Sequence, residues 1–419
     1  MRILYIVTAF PRFPGDVITP WMSETIDRLR SSGTDVEVLA PSYRGLGDQE
    51  IDGTRIHRFR YAPAALETLT HDQTTPDRLR ERPYYAALLP GYLLAGALAA
   101  SRLARTGRFD VLHAFWPLPH SLLALAARAT SAVPVVSTFF GVELTWMRRQ
   151  LPFLASTARW IVRRSDAVTV ISKATATALE GVERRSDIRT IPFGAASSRE
   201  EGTAPSSVRS DASSSGDLPL DRSFRLLFVG RLVERKGVLY LLRAFARIDD
   251  VGLVLTVVGD GPLLQPLRDA AKEMGIDDRV QFTGTITASD LDAEFDRCDA
   301  FILPAVEDEK GDVEGLGVVL LEALAHGRPV IASDSGGIPD IVEDGRTGLL
   351  VPPGDVEALA RAIIRLRDDP ALARDLVVAG QVHVERTFSW HTIVAELNDL
   401  YADVAHRARD GRHVIDAGR

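Results

Sequence analysis

Short runs of consecutive apolar residues alternate with longer stretches of helical spacing along most of the 419 residues. In the first half the apolar runs fall at 3–8, 35–40, 111–114, 133–138 and 167–171, with a loop expected over 9–19 and a helix over 20–32. Runs this short, apolar at successive positions and separated by helices, predict parallel strands buried on both faces. The alternation stops at 195–222, a stretch rich in Ser, Asp, Gly and Pro that predicts a flexible linker. It then restarts, with strands expected at 225–229, 253–259, 280–283, 300–304 and 329–333. Helices are expected at 236–246, 261–274, 290–297 and 318–326 and after Asp355. The pattern therefore predicts an α/β chain of two doubly wound domains, 1–194 and 223–387. A last helix is expected over 390–404, within a C-terminal segment 388–406, followed by a frayed polar tail, 407–419.

One segment competes with this soluble reading. Residues 83–101, PYYAALLPGYLLAGALAAS, carry no charge, lie between Arg82 and Arg102, and approach the length of a membrane span. Pro90 and Gly91 interrupt the run and alanine dilutes it, so a pair of core helices is the expectation and interfacial contact or a span the lesser reading. Apolar content of 46% and charged content of 25% are those of a globular chain.

Charge is uneven. Residues 1–194 hold 24 Lys/Arg against 18 Asp/Glu, and the rest hold 25 against 39. A cationic first domain suits anionic lipid or an acidic acceptor, and is equally compatible with plain surface composition. Arg148, Arg149, Arg159, Arg163 and Arg164 cluster around the apolar run 151–162, which reads either as a membrane-facing patch or as a solvated helix face. No basic stripe interleaved with aromatics is present, so nucleic acid is not an expected partner. The single cysteine, Cys298, rules out an internal disulfide and fits a reducing compartment. Met1 leads straight into the first apolar run without a secretory leader, which predicts a cytoplasmic chain, with a peripheral place on the inner face of a membrane the accompanying reading.

Candidate chemistry concentrates at 314–322, EGLGVVLLE. Glu322 lies inside an apolar run, where a carboxylate is costly unless paired. Gly315 and Gly317 fit a loop that lets backbone approach a ligand and then opens a helix, whose free N–H groups suit phosphate.

Glu314 and Glu322 match the spaced glutamate pair of retaining GT-B glycosyltransferases, and the chain resembles glycosyltransferase family 4 (group 1). FVGRLVERKG (228–237), VVGDGP (257–262), RVQFTG (279–284), HGRPVIASDSGGIPD (326–340), TGLLVPPGD (347–355) and FSW (388–390) follow that family's order. The resemblance implies GT-B architecture, two Rossmann-like domains facing a central cleft, with the last helix crossing back onto the first domain. It implies transfer of a sugar from a nucleotide-diphosphate donor to a glycan, lipid-linked or small-molecule acceptor, with retention and with no metal or other cofactor. Arg231 and Lys236 are then the cations for the departing diphosphate, helped by Gly230, Gly284 and the amides of Gly315, Leu316, Gly317 and Val318. Glu314 would contact the donor sugar and Glu322 the ribose. With no clear base, the departing diphosphate oxygen itself would take the acceptor's proton.

The first half matches the family less closely. Gly15, in PRFPGD, resembles the glycine loop that nears the diphosphate, and Asp16 beside it is an acceptor-side candidate. In TFFGVE, Phe140 stands where family members often carry His, with Gly141 and Glu143 following, and all three are further acceptor-side candidates. In HAFW, Phe115 replaces a second His, and His113 is an acceptor-side candidate weighed against a structural hydrogen-bonding role. His326 reads as a helix cap. A sugar-nucleotide epimerase and a degenerate binding domain share the expected fold. An NAD-dependent dehydrogenase lacks its three spaced glycines. A metal-dependent transferase would rest on Asp290 and Asp292, which read better as a helix-capping box. UDP and GDP sugars both remain open. The RFPGD and GDVEGLG forms resemble members that build exopolysaccharide, capsule or glycolipid.

Overall fold

The structure is a computed structural model that describes residues 1–16, 18–71, 75–150, 154–194 and 223–416. It divides into two compact units, Met1–Pro192 with Trp390–Arg419, and Phe193–Ser389. The predicted linker, 195–222, lies outside the described residues.

The first unit is built on eight strands: β1 (Arg2–Ile6), β2 (Asp35–Pro41), β3 (Gln49–Ile51), β4 (Thr54–Phe59), β5 (Val111–Phe115), β6 (Val135–Phe139), β7 (Ala167–Val170) and β8 (Arg189–Thr190). They lie in the order β3-β4-β2-β1-β5-β6-β7-β8. Ile3 of β1 pairs in parallel with Val36 on one side and Val111 on the other, and β5 and β6 are buried along their whole length. Their consecutive apolar residues are therefore covered on both faces. The helices are α1 (Pro20–Ser31), α2 (Thr75–Glu81), α3 (Leu89–Ala104), α4 (Pro117–Ser131), α5 (Val142–Gln150), α6 (Leu154–Arg164) and α7 (Lys173–Glu180). The antiparallel hairpin β3–β4 departs from the expected all-parallel alternation. Asp52 and Gly53 turn it, both at positive φ, the conformation a two-residue hairpin demands.

Residues 83–101 form a 3-10 turn, Pro83–Leu88, leading into α3. The inner face of α3 packs on α4 closely enough that a Cβ on Gly96 would come within 2.7 Å of Leu123 Cδ1. The expected core pair is thus met on one side only. Tyr84, Leu94 and Leu98 on the other side are 61%, 64% and 44% exposed.

The second unit has six parallel strands, β9 (Phe224–Val229), β10 (Leu253–Val258), β11 (Val280–Gly284), β12 (Ala300–Leu303), β13 (Val330–Ser333) and β14 (Leu349–Val351), in the order β11-β10-β9-β12-β13-β14. Its helices are α8 (Val238–Ala246), α9 (Leu264–Glu273), α10 (Ala288–Arg297), α11 (Val318–Ala325), α12 (Ile338–Ile341), α13 (Val356–Asp368) and α14 (Pro370–Phe388). The strand order reverses between β9 and β12, so the loops leaving these two strands diverge at a switch point, where open α/β sheets bind ligands.

The last helix, α15 (Trp390–Asp416), belongs to the first unit and packs on α1 and β5. It runs past the expected end near 404–406 into the segment predicted to fray. Arg409 reaches Asp110 at 2.9 Å, and His406 and Asp410 lie 3.0 Å apart one turn on, which holds the extra turns.

Candidate functional site

In the second unit the predicted donor residues gather at the C-terminal edge of the sheet. Gly230 and Arg231 leave β9, a 3-10 turn follows over Glu234–Lys236, and Gly284 ends β11. Gly237 has φ +69, and a Cβ there would lie 1.8 Å from Pro304 O. Glycine is therefore required for the Lys236 turn to rest on the end of β12. The loop after β12 brings Glu314 to this turn, and Lys236 Nζ stands 2.6 Å from Glu314 Oε2. Both side chains are largely buried. The pair is close in distance but poorly aligned as a hydrogen bond, which leaves Oε2 without a well-directed donor. Burial works to raise the Glu314 pKa, but the Lys236 ammonium and the nearby Arg235 outweigh it and hold the group below its ordinary value. Arg231 is exposed at the mouth of the loop.

Helix α11 starts at Gly317, which carries no side-chain cap, so its first-turn N–H groups face outward with the positive end of the helix dipole. Glu322 lies four residues after Val318 and on the same face. The sequence makes a carboxylate here costly unless paired, and the structure supplies no partner among the described residues. Burial first, and then the neighbouring Asp292, push its pKa up to about 7. His326 is the C-cap of α11, as expected; its ring stacks on Phe295 and Nδ1 lies 3.0 Å from Asp296 Oδ1. At α10 the N-cap is Thr287, whose Oγ1 accepts from the Asp290 amide at 3.2 Å. Among the described residues, no group of three or more His, Cys, Asp or Glu could hold a metal ion.

Gly336 was not singled out from the sequence. A Cβ there would lie 1.9 Å from Glu314 O, and the neighbouring Gly337 N–H donates to the same oxygen at 3.0 Å. The paired glycines after β13 are the shelf on which the Glu314 loop rests. The signal was their side-by-side placement just before a short helix.

In the first unit, Gly15 sits at φ +82 in an exposed turn. Asp16 is turned inward. Its Oδ2 accepts from Arg12 Nε at 2.7 Å and from the Arg12 amide at 2.9 Å. Burial raises the Asp16 pKa, yet these bonds win and hold it below its ordinary value. Its structural task is to clasp the glycine loop. Arg58, another residue the sequence did not flag, supports that loop by donating to Pro11 O at 2.6 Å.

His113 is 1% exposed, and both ring nitrogens are engaged, Nδ1 with Tyr401 Oη at 2.7 Å and Nε2 with Thr138 Oγ1 at 2.6 Å. It ties β5 to α15, and burial drives its pKa down to about 3. Phe140 leaves β6 and stacks on Trp116, with ring centroids 4.2 Å apart and planes 12° from parallel. Trp21 closes the group at 5.9 Å from Phe140. The position where a His was in question is thus filled by an aromatic cluster. Gly141 follows at φ +95, and Glu143 Oε1 accepts from the Phe140 amide at 2.7 Å. Glu143 Oε2 is buried without a partner among the described residues, and burial pushes this carboxyl up to about 7. Of the five arginines around 151–162, Arg148 and Arg149 have side chains outside the described residues. Arg159 and Arg163 are tied back to Val182 O and Glu183, which leaves less of this face for a membrane.

Comparison with known proteins agrees with this arrangement. Residues 214–383 match Glycosyl transferases group 1, and residues 21–199 match Glycosyltransferase Family 4. The chain is 31% identical over 417 residues to the GDP-mannose-dependent alpha-(1-6)-phosphatidylinositol monomannoside mannosyltransferase of Mycobacterium tuberculosis, covering 95% of this chain and 97% of that one. Sucrose-phosphate synthase from Thermosynechococcus elongatus shares the fold with a TM-score of 0.73 at 23% identity, covering 96% of this chain and 98% of that one. The Anabaena protein HepE, solved in complex with UDP and glucose, does so with a TM-score of 0.67 at 17% identity, covering 96% and 100%. An uncapped helix start, a buried Lys–Glu pair at a switch point and these full-length likenesses make the chain a GT-B glycosyltransferase of family 4, group 1.

Proposed function

We propose that the enzyme transfers a sugar from a nucleotide-diphosphate donor, GDP-mannose being the first candidate, to a hydroxyl of a glycan or lipid-linked acceptor in cell-envelope synthesis. Transfer proceeds with retention and without a metal, at the cytoplasmic face of a membrane. The observation that carries the reading is the Lys236–Glu314 pair, 2.6 Å apart beside the uncapped start of α11. Lys236 and Arg231 supply cations, and the amides of residues 315–318 supply donors, for the charge that develops on the departing diphosphate. Glu314 Oε2, short of an aligned donor, accepts from a hydroxyl of the donor sugar. Glu322 accepts from the ribose. The departing diphosphate oxygen takes the acceptor's proton, as the family resemblance implies. The choice of GDP-mannose is supported by the name of the 31%-identical relative.

The test is a calorimetric titration of the full chain with GDP-mannose and with UDP-glucose, each with and without EDTA. Saturable binding of GDP-mannose that survives EDTA is expected. A preference for UDP-glucose would overturn the donor assignment, and loss of binding in EDTA would overturn metal independence. NMR assignment of the anomeric configuration of the product checks retention.

A further inference from the structure

The segment from Pro83 to Ser101 contains no charged residue, and only 22% of its apolar window is buried. One face is accounted for by α4. The other face is a continuous ridge: Ala87, Pro90, Leu94 and Leu98 follow one another at helical spacing, all exposed, with Tyr84 beside them. Exposed Leu side chains at this spacing, with no described element over them, make an apolar stripe of the kind found at interaction sites.

The ends of the ridge are cationic. Arg80 and Arg82 precede it, and Arg102 and Arg105 continue its line beyond Leu98, all four exposed. Long basic side chains at the ends of an apolar helix reach outward to a charged interface. A second observation points the same way. A pocket of about 470 Å³ opens on the same segment, lined by Arg44, Arg78, Arg82, Thr68 and Tyr85. Among the described residues, no Asp or Glu lines it. The nearby Glu67 is fully buried and already taken by Arg60, Ser42 and the Gly45 amide. The pocket lies past the C-terminal ends of β2 and β4, between the loops that leave those strands. Three guanidinium groups around a tyrosine suit a phosphate.

We propose that this face docks on an anionic phospholipid bilayer. The Leu94–Leu98 ridge sits at the acyl boundary, Arg80, Arg82, Arg102 and Arg105 lie at the headgroups, and a headgroup phosphate enters the Arg44–Arg78–Arg82 pocket. The surface lies on α3 and not on the arginine-flanked α6 that the sequence suggested. It deepens the reading of a lipid-linked acceptor and rests on that reading only for what the membrane supplies.

The experiment is co-sedimentation of the full chain with vesicles of phosphatidylcholine alone and of phosphatidylcholine with an equal part of phosphatidylglycerol, with no nucleotide sugar present. Wild type is expected to sediment with the anionic vesicles and to remain in solution with the neutral ones. Leu94→Asp with Leu98→Asp should cut binding by about tenfold or more. Arg78→Ala with Arg82→Ala should cut it by about twenty-five-fold, in keeping with roughly a fivefold effect per basic residue near such a surface. Circular dichroism and the donor titration on the same samples report folding, and Leu94→Ser with Leu98→Ser provides a milder pair. Wild type left in solution with anionic vesicles would overturn the proposal, as would undiminished binding of the Asp pair. A wild-type dimer in light scattering that the Asp pair converts to monomer would instead assign the ridge to a second copy of the chain. Donor binding that fails while vesicle binding persists would count against the proposed reaction and leave this surface standing.

Discussion

Lys236 Nζ stands 2.6 Å from Glu314 Oε2, and each side chain is only 12% exposed. One comes from the turn after β9 and the other from the loop after β12, so the pair joins the two branches of the switch point. Removing one partner from such a pair leaves a buried charge without compensation, whereas replacing both with neutral groups removes the penalty as well.

Lys236→Met should therefore destabilise the protein by about 3 kcal/mol in denaturant unfolding. Lys236→Met combined with Glu314→Gln should recover most of that loss and still turn over no donor, because the cation and the carboxylate charge are both gone. A double variant no more stable than the single one would show that the two side chains are not energetically coupled.

Gly237 and Gly345 have the same φ, +69, but a Cβ meets Pro304 O at 1.8 Å in the first and nothing within 4 Å in the second. Alanine at Gly345 should cost only the left-handed backbone, about 1 kcal/mol. Alanine at Gly237 must also push β12 and the Lys236 turn apart, so a loss of about 3 kcal/mol or more is expected together with weakened donor binding. Equal losses at the two sites, read by thermal and denaturant unfolding, would mean that the turn can move away from Pro304.

The alternation of apolar runs and helices made both sheets legible, because parallel strands covered on both faces must be apolar at successive positions. Strands without that signature were missed. The β3–β4 hairpin carries polar residues such as Gln49, Glu50 and Arg55, and β14 is only three residues long. Asp52-Gly53 was a usable turn signal for the hairpin. Glu314, Lys236 and Glu322 were visible through motif resemblance and through a charge set in an apolar run. The enclosure of His113 was not visible, since it depends on a partner distant in the fold, Tyr401 on the last helix. The inward turn of Asp16 rests on Arg12 only four residues away, but its loop is propped from below by the distant Arg58, which donates to Pro11 O. The exposed side of α3 was hidden for a related reason. Composition reports how apolar a helix is but not which of its faces a neighbour covers.

Tyr401→Phe removes the hydroxyl that links His113 Nδ1 and Tyr5 Oη. A loss of about 1–3 kcal/mol is expected, with donor affinity unchanged. His113 also contributes to an acid limit. Its pKa falls from 6.5 to about 3 through burial, so the unfolded chain binds a proton that the folded chain refuses, and burial lowers His71 to about 3 and His120 to about 4 in the same way. The contribution of each should be lost as pH drops below about 6.5, and His113→Gln should reduce the slope of that decline by its share. An identical slope in the variant would assign the acid sensitivity to other groups.

Glu322 has the opposite sign. Burial and Asp292 raise its pKa from 4.5 to about 7, so the folded chain keeps a proton that the unfolded chain releases. Its contribution to stability should fall as pH rises from about 4.5 to about 7 and stay level above that. Glu322→Gln removes the cost of the buried charge. It should be more stable than wild type by about 1–3 kcal/mol near pH 8 and no different near pH 4. Glu143, which burial also raises to about 7, is present in both proteins and cancels in the difference. Function should move the other way. Ionised Glu322 is the stronger acceptor for a ribose hydroxyl, so wild-type nucleotide affinity should tighten as pH passes 7, while Glu322→Gln binds about tenfold more weakly at high pH and shows no such step. Calorimetry of both proteins with GDP across this range decides the point: a gain in stability without a loss of affinity would leave Glu322 a buried carboxyl with no part in binding.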